Sequence, residues 1–235
     1  MTFSLVARCS RTGELGVAVA TAIPAVGAIC PFARAGVGAI SSQSYTNALY
    51  GPDGLALLSD GVEPEQALQS LTAGDPGRTL RQVVMVDAKG RAAAFTGADC
   101  VDAHRHLVGN GFAAAGNMLT DAAVVDAVAC AFEAAAGEVL SERLIRALEA
   151  GQAAGGDKRG RQSAALLVVA ADEFAACDLR VDEHAEPVAE LRRVYEVAKR
   201  QLLPFIRSMP TRTNPAGTAD PALGAYLLRP VGKRG

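Results

Sequence analysis

Thr2-Phe-Ser-Leu-Val-Ala-Arg8, the turn residues Thr12-Gly13, and Gly16-Val-Ala-Val-Ala-Thr21 form the stretch that decides the fold. Small and β-branched residues fill both runs and a glycine-bearing turn joins them, so the pair reads as an antiparallel hairpin. After Ile23-Pro24 come two further short runs, 26–32 and 37–42, with Arg34-Ala35-Gly36 as the turn between them. Four strands in a row therefore open the chain. Their glycines and small side chains let backbones approach closely and packed faces lie flat.

Outward from this start the pattern alternates in blocks. Tyr50-Gly51-Pro52-Asp53 introduces a helix through Leu57 and Leu58, and Glu63-Pro64-Glu65 sets acids and a proline in the first turn of a second one. Segments 81–87 and 91–96 flank Ala88-Lys89-Gly90 as another hairpin, and 111–115 reads as a further strand. Two helices follow, one from Thr120-Asp121 to Ala135 and one from Ser141 to Ala150, ending at Gly151. A third hairpin, 164–170 with 174–181, turns at Ala171-Asp172-Glu173, and Glu186-Pro187 begins a helix to about Leu203. Blocks of strands separated by helix pairs argue against a doubly wound parallel sheet and for two stacked antiparallel sheets covered by helices. The expectation is one domain over 1–203. From Pro204, residues such as Pro, Gly, Arg and Thr interrupt every apolar run, which predicts an extended arm over 204–235. That arm lies over its own domain or over a second copy in a homo-oligomer.

Composition narrows the class of function. The 235 residues hold 23 Lys and Arg against 25 Asp and Glu, so no whole-protein field steers the chain onto a polyanion, and nucleic acid is not an expected partner. No apolar run approaches the roughly 18 residues that a membrane span needs, and no basic segment followed by an apolar stretch opens the chain, so no membrane partner is expected. Five cysteines, Cys9, Cys30, Cys100, Cys130 and Cys177, lie far apart and mostly in apolar runs. They read as reduced, buried thiols of a cytoplasmic protein. Asp99, Cys100, Asp102, His104 and His106 form the one metal-like cluster, without supporting Cys-x-x-Cys or His-x-x-x-His spacing, so neither metal nor cofactor is expected.

The order of elements, with Thr2 opening the first strand, resembles the N-terminal-nucleophile (Ntn) hydrolases, the fold of the proteasome subunits. Met1-Thr-Phe-Ser-Leu-Val-Ala-Arg8, Ala35-Gly-Val-Gly-Ala39, Gln43-Ser-Tyr-Thr-Asn47, Tyr50-Gly-Pro-Asp-Gly-Leu55 and Ala150-Gly-Gln-Ala-Ala-Gly-Gly-Asp-Lys-Arg-Gly-Arg-Gln-Ser163 resemble one branch, the bacterial family called domain of unknown function 1028. The likeness runs from Met1 to about residue 203 and is most specific over 155–163. It implies an α+β fold, a four-layer αββα sandwich of two stacked antiparallel sheets. It also implies an amidohydrolase acting on a small-molecule substrate. Since one fold hosts active and inactive descendants, a non-catalytic protein binding a small polar metabolite, or an oligomeric scaffold, stands beside it.

Under that resemblance Thr2 is the nucleophile. Removal of Met1 would leave a threonine whose own amine, titrating near about 8, takes the hydroxyl proton. The plainer reading is a β-branched strand residue. The hairpin geometry predicts Thr21, Val26, Gly27 and the run 41–47 as neighbours of Thr2. Proteasome-type sites place a lysine at the start of the third strand; here the sequence reads Val26-Gly27-Ala28, and no lysine precedes Lys89. Ser41, Ser42, Gln43, Tyr45 and Asn47 are candidates to hold an oxyanion or the substrate, against the alternative of a polar helix cap. The 155–163 loop joins a helix to a strand and lacks the Lys-Ser/Thr pair of a phosphate loop. In the proteasome-like pattern it brings an acid, Asp157, to the terminal threonine, and Arg159 and Arg161 become a clamp for an anionic substrate. The alternative is a solvated basic turn. Asn117, ending a strand just before a helix, is a minor candidate.

Overall fold

The computed structural model describes residues 2–234. Met1, and with it the expected removal of that residue, lies outside the described residues. The strands are β1 (Thr2–Arg8), β2 (Leu15–Thr21), β3 (Pro31–Arg34), β4 (Gly38–Ser44), β5 (Arg81–Asp87), β6 (Ala92–Thr96), β7 (Arg105–Gly109), β8 (Phe112–Asn117), β9 (Ser163–Val169) and β10 (Ala175–Val181). The helices are α1 (Tyr50–Ser59), α2 (Pro64–Ala73), α3 (Ala123–Ala134), α4 (Leu140–Ala153), α5 (Pro187–Ser208) and α6 (Pro221–Leu227). Every strand pair is antiparallel, in a six-stranded sheet ordered β10-β9-β2-β1-β8-β7 and a four-stranded sheet ordered β3-β4-β5-β6.

The layers follow from which side chains each strand buries. Along β1, Val6 faces the second sheet, where it meets Val17, Ala39, Val84, Val86, Ala113 and Ala115, while Phe3 lies against Gly151 of α4 on the other face. Helices α3 and α4 cover the outside of the six-stranded sheet, and α1 and α2 cover the four-stranded one, where Ile40, Val83 and Met85 pack with Tyr50 and Leu68. The result is the expected α+β, four-layer αββα sandwich.

Several boundaries differ from the sequence reading, each for a physical reason. Val26–Ala28 is a single 3-10 turn rather than the start of a strand. Ala25 before it is left-handed (φ 54°), and Gly27 lies so close to Ala165 and Arg180 that a Cβ there would come within 2.8 Å of both. Strand β7 places His106 on a strand, as the plainer reading of the histidine cluster has it, but its residues are exposed or half-buried, so no alternating apolar signal marks its extent. Helix α4 runs through Gly151 to Ala153. That glycine is a packing residue rather than a stop, since a Cβ would lie 2.6 Å from Val128 and 2.8 Å from Phe3. Gly151→Ala is accordingly expected to destabilise: the gain in helix propensity is at most about 1 kcal/mol, whereas overpacking a filled core costs about 1 to 3 kcal/mol. A urea denaturation midpoint below that of the wild type is the expected result.

The chain divides into two compact units, 1–191 and 192–235. Helix α5 continues past Leu203 and through Pro204 to Ser208, and α6 and a 3-10 turn at Val231–Lys233 follow, so the segment after 203 is partly helical rather than an extended arm. Proline removes one i→i−4 bond but leaves the rest of the ladder on either side. Within the second unit Asp220 caps α6, accepting from the N–H groups of Ala222 and Leu223 at 3.0 Å. All five cysteines are free thiols; Cys130 is exposed, the other four are buried, and burial pushes Cys30 and Cys177 up to about 12. No helix among the described residues is long and apolar enough to cross a membrane.

Candidate functional site

The space between the two sheets changes character along its length. At one end it is apolar; at the other, the residues that continue the same strand faces are polar. Beyond Val6 on β1 stand Ser4 and Thr2; beyond Val19 on β2, Thr21; beyond Ala39 on β4, Ser41 and Gln43. Before Val84 on β5 stands Gln82, beyond Ala115 on β8 Asn117, and before Ala165 on β9 Ser163. All are buried, and with Asp157 they form a polar layer closing one end of the sandwich.

Their hydrogen bonds cross between the sheets. Ser4 Oγ donates to Gln43 Oε1 at 2.6 Å, Gln43 Nε2 donates to Gln82 Oε1 at 2.7 Å, and Asn117 Nδ2 donates to the same oxygen at 3.0 Å. Gln43 Nε2 also lies 3.5 Å from the Thr2 carbonyl. Thr2 pairs with Asn117 across the β1–β8 ladder, and its Oγ1 is 3.2 Å from Thr21 Oγ1. Thr2 itself is 4% exposed. Asp157, 5% exposed, accepts from the Ala22 N–H at 3.0 Å, the Arg159 N–H at 2.8 Å and the Arg159 guanidinium at 3.2 Å. The loop carboxylate thus lies beside the residue that follows Thr21. Ser41 Oγ is buried and lacks a hydrogen-bond partner among the described residues.

This end also concentrates backbone strain. Among the described residues, the non-glycine positions with positive φ are Ala25 (54°) and Met118 (53°), in the turns leaving it, and Ser44 (71°), the last residue of β4. Gly155 (118°), Gly156 (60°) and Gly160 (116°) shape its Asp157 loop. A left-handed non-glycine residue costs about 1 to 3 kcal/mol and clusters at functional sites.

The structure therefore brings Thr2, Gln43, Ser41, Asn117 and Asp157 to one end. It takes other expected residues elsewhere. Alternation puts Ser42 on the helix-covered face of β4, where its hydroxyl donates to the Asn47 carbonyl at 2.8 Å. Asn47 Oδ1 accepts from the Leu49 N–H at 3.1 Å, the role of a turn-forming cap at the start of α1. Tyr45 is 71% exposed, with the Arg81 guanidinium over its ring. Asn47 instead lines a separate open groove of about 350 Å³ with Leu49, Tyr50, Asp53 and Asp75. There Arg81 and the Tyr50 hydroxyl hold the Asp75 carboxyl well below its usual range. Arg159 is ion-paired to Asp157 and Arg161 to Glu186, so the two guanidiniums face different carboxylates rather than forming one fork. Gln82 was not anticipated, although a lone glutamine before Val-Val-Met-Val is a legible sign of a polar residue on a buried face. His104 Nδ1 lies 3.2 Å from Asp102 Oδ1, while His106 contacts Thr96, and no group of three or more acidic, His or Cys residues able to hold a metal occurs among the described residues.

A family model described as "Family of unknown function (DUF1028)" matches residues 2–191. The crystal structure of protein SPO2555 from Silicibacter pomeroyi, described with the same family model, is 33% identical. It covers 93% of this chain and 96% of its own, with a TM-score of 0.85. Anbu (ancestral beta-subunit) from Yersinia bercovieri is 11% identical over 89% of this chain and 98% of its own, with a TM-score of 0.41. No curated protein matches the sequence.

Proposed function

The chain belongs to DUF1028, a family of unknown function, and we propose that it acts as an N-terminal-nucleophile amidohydrolase with Thr2 as nucleophile after removal of Met1. The observation behind this reading is the position of Thr2. It is the first residue of a central strand, on the face between the sheets, among buried hydrogen-bonding groups at the strained end of the sandwich. In the proposed reaction Thr2 Oγ1 attacks the carbonyl carbon of a small amide while its proton passes to the α-amine. The amine gives that proton to the departing nitrogen as the C–N bond breaks. Water then hydrolyses the threonyl ester and restores the hydroxyl. Thr21, beside Thr2 Oγ1, helps orient the attacking oxygen, and Asp157 supports the adjoining β2 terminus through Ala22. Arg159 and Arg161 already hold carboxylates, so the reading assigns them no substrate clamp.

A second reading is a non-catalytic binder of a small polar metabolite, since Thr2, 4% exposed, offers little surface for a substrate to reach its hydroxyl. One experiment separates them. Intact-mass measurement and a panel of N-acetyl amino acids and their primary amides, followed by amine release, should show protein lacking Met1 and hydrolysis that Thr2→Ala abolishes. A compound that raises the melting temperature of wild type and Thr2→Ala alike, with turnover by neither, favours the binder.

A further inference from the structure

We infer that His106, on the edge strand β7, is a positioning residue whose protonation is felt, through Thr96, by the buried amides of the hydrogen-bond chain that ends at the Thr2 carbonyl. The chain starts at the surface, where His106 Nδ1 lies 2.8 Å from Thr96 Oγ1. Gln82 Nε2 lies 3.0 Å from the same hydroxyl oxygen and also faces the carbonyls of Gly116 at 2.9 Å and Arg105 at 3.2 Å. Two main-chain carbonyls can only accept, so the NH₂ end of Gln82 must point this way and its Oε1 must face Gln43 and Asn117. Gln43 is anchored likewise, with its NH₂ end toward the Thr2 carbonyl. Both glutamine amides are thus oriented by backbone. Thr96 Oγ1 faces a donor in Gln82, and the acceptor within reach of its own proton is His106 Nδ1. A neutral imidazole with its proton on Nε2 supplies that acceptor.

A proton on Nδ1 would aim two donors at Thr96 Oγ1 and leave its hydroxyl hydrogen without that acceptor. The hydroxyl oxygen, with two lone pairs, can accept from both, but its hydrogen must turn away from the ring, which changes the surroundings of the Gln82 amide and of the Asn117 and Gln43 groups held on its oxygen. The surroundings act in the same direction. Burial lowers the His106 pKa, as do Arg105, itself paired to Asp126 of α3 at 2.9 Å, and His104; Glu65 of α2 opposes them. A depressed histidine weakens the fold only as pH falls below the unfolded-state value of about 6.5.

The functional meaning of this inference rests on the Thr2 site, but its test needs no turnover, so failure to hydrolyse amides leaves it standing. Side-chain amide resonances of Gln82 and Asn117 are followed from about pH 8 to about pH 5, across the histidine range, together with the His106 ring. The expected result is amide shifts that share the midpoint of the His106 ring. They should vanish in His106→Gln, whose neutral carbonyl accepts the Thr96 proton. Amide resonances that stay fixed while His106 titrates would overturn the inference. So would shifts that persist in His106→Gln. Thr96→Val provides a second break in the chain and should leave the ring titrating while both amides are still.

Discussion

Thr2→Ala is expected to lower amide turnover by about 10⁴-fold or more, because in the proposed reaction losing the nucleophile removes the covalent route and leaves only binding and oxyanion effects. The same substitution should change stability little. The Thr2–Thr21 contact is a single hydroxyl pair at 3.2 Å, and a hydrogen bond of this kind contributes about 1 kcal/mol. A large kinetic effect with a small stability effect is what separates a nucleophile from a β-branched strand residue. Thr2→Ser keeps the hydroxyl and should retain turnover. The wild-type rate should rise with pH as the α-amine loses its proton near about 8, since the proposed mechanism uses the free amine as base. Steady-state kinetics across that range, beside urea denaturation of each variant, is the check.

Gln82→Leu is expected to produce the largest loss of stability. The glutamine oxygen accepts from the amides of Gln43 and Asn117, and its two N–H groups are shared among the Gly116 and Arg105 carbonyls and the Thr96 hydroxyl. Leucine fills similar space but leaves these buried groups without that partner. Each such group costs about 1 to 3 kcal/mol, so even partial relaxation leaves a deficit of about 3 to 5 kcal/mol. For a domain of this size that is a fall of about 10 °C in Tm. A conservative outer change such as Ser42→Ala should be much milder, since Ser42 makes one bond to the Asn47 carbonyl.

The sandwich was legible because blocks of strands and helix pairs follow one another without single βα alternation, and because Pro64 and Asp121 punctuate helix starts. What escaped lacked a periodic signal. The bounds of β7, Arg-His-Leu-Val-Gly at a sheet edge, carry no such signal although His106 reads as a strand residue, and Pro204 reads as an ending although α5 passes through it. The site was partly legible: Gln43 and Asn117 are polar residues at strand ends beside apolar runs, whereas Thr2 and Asp157 are singled out by the family resemblance, since the residues alone read as a β-branched strand residue and a solvated turn. Tyr45 and Asn47 were grouped with them by proximity in sequence, but β4 ends at Ser44, whose left-handed backbone turns the following residues away from the layer. Gln82 was legible in principle: counting back by two from Val86 and Val84 puts it on the same inward face, where an unpaired amide is costly. No rule of spacing shows that its partners come from β4 and β8, because those contacts depend on how the two sheets register against each other.

Covalent capture with a β-lactone tests the central claim most directly. Attack by Thr2 Oγ1 on the lactone carbonyl opens the ring, forms a threonyl ester and retains every lactone atom on the protein. Peptide mass analysis after brief treatment should show an N-terminal peptide that begins at Thr2 and is heavier by one intact lactone, with the adduct absent from Thr2→Ala. A peptide that still begins with Met1, or a Thr2 peptide that stays unmodified while the lactone is in excess, would contradict the account.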